Sequence, residues 1–128
     1  MTLDLPSYPS SLGLLIEIQD GEEIIVLPFS PSLEGRPDYL HGGAIAGLLD
    51  FVCLRTLEGI LNRDGRKARI RLCGSSVEFI RGGKKTLTHA SASILHIGNT
   101  NALVTAVAWQ ASQAKPIALS QQRYVLEA

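Results

Sequence analysis

The chain has 128 residues, of which 45% are apolar and 19% charged, and its twelve basic residues balance its twelve acidic ones. This size and composition fit a single globular domain over residues 1–128, and the neutral charge with only 5% aromatic residues argues against a nucleic-acid partner. No segment approaches the ~20 apolar residues of a membrane span and no leader pattern opens the chain, so we expect a cytoplasmic protein without membrane contact.

The first predicted elements are two strands that form a hairpin. The stretch LGLLIEIQDGEEIIVLPFS contains two extended apolar runs about a turn at Gln19, Asp20 and Gly21. The following PSLEGRPDY, with two prolines and a glycine, interrupts regular structure.

A long buried helix is predicted next, from residue 42 to about residue 61. The run is apolar nearly all round, and a stop signal follows at Asn62 to Gly65. Asp50 is the only charged or strongly polar side chain between Ala44 and Leu54. A carboxylate in apolar surroundings is costly unless it is paired, hydrogen-bonded or protonated, so Asp50 requires a structural or a chemical reason.

Four extended runs complete the chain. KARIRLCGSSVEFIR begins with strict alternation, which predicts a half-buried strand with Lys67, Arg69 and Arg71 outside and Ala68, Ile70 and Leu72 inside. KTLTHASASILHI, NALVTAVAWQ and PIALSQQRYVL follow, the first two joined by a predicted two-residue turn at Gly98-Asn99. The predicted fold class is α+β, a curved antiparallel sheet of about six strands wrapped around one long central helix. We expect the helix to need a second copy of the chain to cover it.

The two cysteines show no metal-binding or redox spacing. Cys53 lies in the apolar helix and Cys73 in a predicted strand, without a CxxC or a paired histidine. Both are interpreted as buried free thiols, and no metal site is predicted.

The helix start carries a family resemblance. YLHGGAIAGLLD resembles the signature of the hotdog-fold acyl-CoA thioesterases of the phenylacetic-acid-degradation type, in which HGG is followed by six mostly apolar residues and an acidic residue. VEFIRGGKKTL is similar to the family's strand that ends in an aromatic, an aliphatic, an arginine and a turn. The resemblance implies a hotdog fold, hydrolysis of an acyl-CoA thioester, and a homotetramer built from dimers. It implies no cofactor, because coenzyme A is part of the substrate.

The motif has a physical interpretation of its own. The first turn of a helix presents unpaired N–H groups backed by the helix dipole, which stabilise the oxyanion of a thioester under attack. Gly42 and Gly43 allow a substrate close to this backbone, and Gly43 N–H is the candidate oxyanion donor. Asp50 is the candidate nucleophile or general base; its alternative is a structural carboxylate satisfied by an N–H or an arginine.

Within one chain, the Gly43 N–H and the Asp50 carboxylate cannot both contact the same carbonyl group. Asp50 lies two helical turns beyond Gly43, ~10 Å along the axis. Two antiparallel copies of the helix related by a two-fold axis near Ala46 and Gly47 would bring Gly43 of one copy near Asp50 of the other. The sequence therefore predicts active sites shared across a dimer.

Other polar residues are weaker candidates. His41 either contacts the substrate region or merely starts the helix. Arg81 and Lys84, within a basic set that also includes Lys85, could bind the phosphates of coenzyme A or could form a solvated face. No role is assigned to His89, His96, Ser75 or Ser76, because no possible catalytic partner lies at a characteristic spacing from them in the sequence.

Two alternatives to a thioesterase remain open. Related thioesterases usually have an asparagine five or six residues before the histidine, and Arg36 and Gly35 stand there instead. A protein that binds acyl-CoA without hydrolysing it is therefore one alternative. A hotdog hydratase or dehydratase is the other, although its characteristic glycine-histidine-phenylalanine loop is missing.

Overall fold

The computed structural model describes residues 13–128 and contains the predicted helix and six strands in the predicted order. The opening segment 1–12, for which no leader pattern was predicted, lies outside the described residues, as does Leu12, the first residue of the hairpin stretch. The elements are β1 (Leu15–Gln19), β2 (Glu22–Leu27), a 3-10 turn (Pro31–Leu33), α1 (Gly42–Arg63), β3 (Arg69–Phe79), β4 (Thr88–Ile97), β5 (Asn101–Trp109) and β6 (Pro116–Glu127).

The strands form one antiparallel sheet in the order β1-β2-β4-β5-β6-β3. The predicted β1–β2 hairpin is confirmed: Asp20 and Gly21 both have positive φ, at 51° and 77°, as a tight hairpin turn requires. The β4–β5 turn lies one residue later than predicted. Gly98 N–H donates to Asn101 O at 2.8 Å, so Asn99 and Thr100 are the turn residues.

The core lies between α1 and the inner face of the sheet. Nine of the 22 helix residues are buried, and they pack on an inner face that β5 lines largely with small side chains. These β5 residues are Ala102, Val104, Ala106 and Ala108. Alternating small residues let the helix approach the sheet closely, because they occupy little space between the two layers.

One side of α1 remains uncovered in the isolated chain. Gly43, Asp50 and Leu54 are exposed along it, and Ala46 is half-buried. We call these four residues the open stripe. Gly47, predicted to lie with Ala46 at a helix–helix contact, is instead buried under the chain's own sheet. The helix is therefore less apolar on its free side than the sequence suggested, and the free side carries the carboxylate.

The strand β3 forms one edge of the sheet, with β6 as its only neighbour in the sheet order. The register of β3 against β6 shifts between Leu72 and Gly74, which makes Cys73 the extra residue of a bulge. The prediction that Cys73 is buried is wrong, because the bulge at a free edge leaves it exposed, whereas Cys53 is buried as predicted. Leu72, predicted to point inward, is 47% exposed, because α1 does not extend over this edge.

In residues 13–128, none of the helices has the length and apolar character that crossing a membrane requires.

Candidate active site

His41 forms the N-cap of α1. Its backbone is extended, and its Nδ1 accepts the N–H of Gly43 at 2.8 Å. Its carbonyl oxygen accepts the N–H groups of Ala44 and Ile45 at 3.0 and 3.3 Å. Gly42 N–H has no acceptor within residues 13–128. Of the N–H groups in the first helical turn, that of Gly42 is therefore the one left for a substrate oxygen.

Gly43 has a second role that its sequence position did not reveal. A Cβ at this position would lie 2.9 Å from Nδ1 of His41, so any side chain would displace the imidazole. The predicted oxyanion donor, Gly43 N–H, is occupied by His41 in this conformation. Gly43 thus serves the cap, while a Cβ at Gly42 would make only ordinary contacts, 3.6 Å from Phe79.

The HGG motif is held against the loop that follows β3. Leu40 N–H donates to Gly83 O at 2.9 Å, and His41 N–H donates to Leu33 O at 2.7 Å. Tyr39 packs closely against Gly82, where a Cβ would lie 2.5 Å from the nearest atom of its ring. The absence of a side chain at Gly82 therefore allows the two loops to meet, and this contact brings Arg81 to the start of the helix.

A cavity of about 760 Å³ opens at this junction. It contains three of the predicted site residues, His41, Gly42 and Arg81. Its further lining includes Arg36, Tyr39, Phe79 and Ile80. Asp50 does not line it, so within one chain the structure separates the carboxylate from these three residues.

Basic side chains surround Tyr39 at the rim of the cavity. The guanidinium of Arg36 lies 4.1 Å from the ring centroid. Lys84 Nζ lies 4.5 Å from the same centroid and 3.4 Å from the phenolic oxygen. Neither side chain, nor that of Arg81, forms an ion pair with a carboxylate among the residues described. These three cations are therefore available to an anionic ligand.

Lys85, in contrast, is neutralised locally. Its Nζ lies 3.1 Å from a carboxylate oxygen of Asp38 and 3.7 Å from one of Glu34. The hydrogen bond that Lys85 donates to the Asp38 carboxylate, together with the negative charge of that carboxylate, raises the pKa of Lys85. The basic set predicted from the sequence therefore divides into free and paired members.

Asp50 lies on the open stripe with one polar partner. Gln122 on β6 donates its Nε2–H to Asp50 Oδ1 at 2.7 Å. Partial burial raises the pKa of Asp50, and the Gln122 hydrogen bond opposes this rise. The Asp50 carboxylate therefore has an N–H partner, as expected if its role were structural. However, Asp50 lies on an exposed face of α1 and forms no salt bridge in the described part of the chain.

Two further ionisable groups lie beneath Asp50. The Cys53 thiol, 3.9 Å from Ser120 Oγ, is buried, and burial raises its pKa to about 12. Burial also raises the pKa of Tyr124. Both groups are neutral at physiological pH, so Asp50 is the member of this cluster that carries charge. Cys53 is consequently a poor nucleophile, because the thiolate is the reactive form.

Along the helix, Gly42 and Asp50 are eight residues apart, or ~12 Å. A single thioester carbonyl cannot contact both groups in one chain. The midpoint of this span is Ala46, a small, half-buried residue of the open stripe.

The remaining histidines lie away from this region. His89 stacks on Trp109 with ring centroids 5.7 Å apart, and His96 is exposed on the same strand. Within residues 13–128, no three His, Cys, Asp or Glu side chains are arranged to hold a metal ion.

Comparison with known proteins gave structural matches only. No family model matches the chain, and no curated protein matches it. A Bacillus halodurans protein solved with CoA is similar at a TM-score of 0.82 and 20% identity, over 97% of this chain and 80% of the other. A thioesterase enzyme of Staphylococcus aureus, solved as a mutant, is similar at 0.81 and 18% identity, over 96% and 100% of the two chains.

A third match is a phenylacetic acid degradation-related protein from Ralstonia eutropha, provisionally described as a thioesterase. It is similar at a TM-score of 0.81 and 19% identity, over 96% of this chain and 92% of the other. Likeness at this level over nearly the whole chain establishes the predicted hotdog fold, in which one helix is wrapped by an antiparallel sheet. At these identities the likeness concerns the fold.

Proposed function

We propose that the protein is an acyl-CoA thioesterase that hydrolyses a small acyl or aryl-acyl CoA thioester. The observation that carries this proposal is the position of Asp50. It is a carboxylate on an exposed helix face, held by a buried amide, on the same helix whose N-terminus opens into a cavity with a basic rim. The thioesterase description of two structural neighbours supports the assignment.

Asp50 drives the chemical step in either of two ways. As a general base it removes a proton from water, whose oxygen attacks the carbonyl carbon while the thiolate of CoA leaves. As a nucleophile its own oxygen attacks, CoA leaves as thiolate, and water hydrolyses the resulting anhydride. In both cases the carbonyl oxygen gains negative charge. Gly42 N–H, backed by the helix dipole, stabilises that charge, and Gly43 N–H could join it if His41 rotates away.

A dimer supplies the missing proximity. A two-fold axis passing near Ala46 places Gly42 of one helix next to Asp50 of the other, and each dimer then contains two equivalent sites. Gly43, which has no side chain, and Ala46, which has only a methyl group, permit this approach on the open stripe. Two such dimers form the tetramer that the family resemblance implies.

Thioester hydrolysis is tested directly with a panel of short, long and aromatic acyl-CoAs. Release of free CoA is followed with a thiol reagent, beside wild type and an Asp50→Asn control. We expect at least one substrate to be hydrolysed by wild type and to be left intact by the variant. Hydrolysis that persists unchanged in Asp50→Asn would contradict the assignment of the catalytic group.

The basic rim is proposed to bind the phosphates of coenzyme A. Arg81 and Lys84 were predicted for this role, and Arg36 joins them across the Tyr39 ring. The neighbour solved with CoA is consistent with this ligand. We predict that Arg81→Gln raises KM about tenfold for an acyl-CoA, the loss of one charged contact. KM for the same acyl group on N-acetylcysteamine, which has no phosphates, should not change.

That pair of substrates also provides the control. A rise in KM for both would mean that Arg81 shapes the acyl site, and unchanged KM for both would exclude it from binding. Lys85→Gln, at a lysine already paired with Asp38 and Glu34, is the matched variant expected to leave both constants unchanged.

A second candidate is binding of acyl-CoA without hydrolysis. It is favoured by Arg36, which stands where related thioesterases have an asparagine, and by the occupied N–H of Gly43. Calorimetry that shows acyl-CoA binding, together with no thiol release across the panel, would favour this second function.

A further inference from the structure

Gln122 is the one buried side chain that contacts Asp50 by a hydrogen bond in residues 13–128. It is fully buried, on the inner face of β6, paired in register with Val104 on one side and Ser75 on the other. Its Nε2 donates to Asp50 Oδ1 at 2.7 Å. The contact joins the sheet to the open stripe of the helix, across 72 positions of sequence.

The other end of the amide is unsatisfied. Gln122 Oε1 is buried and has no hydrogen-bond partner among the residues described. A buried acceptor without a donor is costly, and an apolar side chain of the same size would avoid that cost. The orientation of the amide follows from Asp50, because turning it over would direct Oε1 at an ionised carboxylate oxygen. Fold stability therefore does not explain a glutamine here.

We propose that Gln122 is a positioning residue for Asp50: its buried amide fixes Oδ1 and the plane of the carboxylate, and leaves Oδ2 as the oxygen that acts on the substrate or on water. The inference rests on the proposed thioesterase function. A side chain on an exposed helix face would otherwise sample several rotamers, and catalysis requires one of them. The amide donor also favours the ionised form of Asp50, which is the form that acts as base or nucleophile.

The surrounding charges do not replace this contact. The ionisable groups that face the Asp50 cluster are Cys53 and Glu58 on α1 and Tyr124 on β6. Cys53 and Tyr124 are neutral at physiological pH, and Glu58 is acidic. None of them stabilises a negative charge on Asp50 in the way that the Gln122 N–H does.

The test replaces Gln122 with methionine, which keeps the length and removes the donor and the orphaned oxygen. We expect kcat to fall at least tenfold, KM to stay within twofold, and the melting temperature to stay equal or rise. The acid limb of the pH–kcat profile should move to higher pH, since loss of the N–H donor raises the pKa of Asp50 further. Gln121→Met changes the neighbouring glutamine, whose side chain faces the opposite side of the sheet, and should alter none of these.

A merely structural role predicts a different result. A lower melting temperature, with kcat per folded molecule and the acid limb unchanged, would overturn the proposal. Gln122→Leu is the second variant, in case the methionine variant does not fold. It also removes the donor and adds no charge, so the acid limb should move to higher pH, as for the methionine variant. An unmoved acid limb in Gln122→Leu would equally overturn the proposal.

An independent measurement separates this inference from the proposed function. The Asp50 carboxyl can be titrated by carbon NMR in aspartate-labelled protein, with Asp50→Asn used to assign its signal. A shift to higher pH in Gln122→Met supports the contact, and an unshifted titration refutes it, whatever the turnover. If wild type hydrolyses no acyl-CoA in the panel, the thioesterase assignment fails, and the titration still decides whether Gln122 controls Asp50.

Discussion

Asp50 occupies a position between core and solvent that suits a reactive carboxylate. Its Oδ1 is held by a buried amide, while the residue as a whole is exposed. Burial of the surrounding atoms raises its pKa, and a carboxylate with a raised pKa is a stronger base once it is ionised. A carboxylate fixed by an arginine would have the opposite shift and would be a weaker base. The environment of Asp50 therefore favours proton abstraction or attack over a purely structural ion pair.

This raised pKa makes a testable prediction about Asp50→Asn. The folded state holds the Asp50 proton more tightly than the unfolded chain does, so ionisation destabilises the fold. The destabilisation is absent below the unfolded pKa of about 4, grows as pH rises through the raised folded value, and is constant above it. Asparagine removes it. At pH 7 the variant should melt at or above the wild-type temperature, and the difference should vanish near pH 3.

Turnover should respond in the opposite direction. Loss of a general base or nucleophile lowers kcat by about a hundredfold or more. Thermal unfolding, measured together with thiol release, distinguishes a catalytic role of Asp50 from a structural one. If the variant melts far below wild type while each folded molecule stays active, Asp50 is structural.

At the scale of the helix, His41 combines two functions that one substitution can separate. Its Nδ1 caps the Gly43 N–H, and its ring lines the cavity. His41→Ala loses the cap and should destabilise the fold by about 1 kcal/mol. His41→Asn keeps an N-cap acceptor and should retain the stability. We expect kcat/KM to fall several-fold in both variants, because both remove the imidazole from the cavity.

The asparagine variant is the decisive one for His41. Chemical denaturation gives the stability of each variant, and steady-state kinetics gives kcat/KM. Full activity in His41→Asn would show that the histidine only starts the helix.

The elements of this fold could be predicted because each has a local signal. Period-two alternation marks the strands, Asp20-Gly21 suits the left-handed conformations of a hairpin turn, and Gly65, with φ of 67°, ends the helix as predicted. The bulge at Cys73 has no such signal, since it arises from the pairing of β3 with β6. Leu72 pairs with the buried Tyr124, but alternation along the strand does not reveal that α1 leaves this edge uncovered, so its burial was predicted wrongly.

The candidate site was only partly predictable for a related reason. The HGG motif and Asp50 lie close together in sequence at the start of one helix. Helix geometry therefore gives their separation directly. Arg36 and Gln122 lie at the site because of loop and strand contacts between distant parts of the chain. Such contacts cannot be predicted from the spacing of residues in the sequence. A signal for Gln122 did exist. The alternation of β6 places Gln122 on the same face as Tyr124, and a glutamine on an inward face requires a polar partner.

At the scale of the whole molecule, the edge strand β3 is the feature from which we predict a dimer. It is an 11-residue strand at a free edge of the sheet, with Leu72 47% and Phe79 55% exposed. Leu54 on the open stripe is 37% exposed as well. A long edge with apolar side chains is a template for pairing with another strand. We predict a dimer, or a dimer of dimers, at micromolar concentration, measured by sedimentation velocity.

A charge at the edge should weaken this assembly. Leu72→Lys opposes edge pairing without disturbing the monomer core, because the side chain is already exposed. Leu95→Lys is the matched control, since Leu95 is 58% exposed on the internal strand β4. A wild-type protein that sediments as a stable monomer would remove the basis for a shared site.

The last prediction tests the shared site by mixing two inactive chains. Gly42→Val places a side chain in the cavity at the start of the helix, and Asp50→Ala removes the carboxylate. Each variant alone should be inactive. In a heterodimer, the Gly42→Val chain supplies an intact Asp50 to the intact Gly42 of its partner, so one site is whole and the other carries both changes.

Random mixing makes half of the dimers heterodimers, and half of the sites in those are intact, so about a quarter of wild-type activity should return. If each site were built within one chain, every site would carry one change or the other, and mixing could restore nothing. Co-refolded samples are therefore assayed for thiol release, with the heterodimer fraction measured by native mass spectrometry. Heterodimers that form in the expected proportion and remain inactive would show that Asp50 and Gly42 do not act together across the dimer.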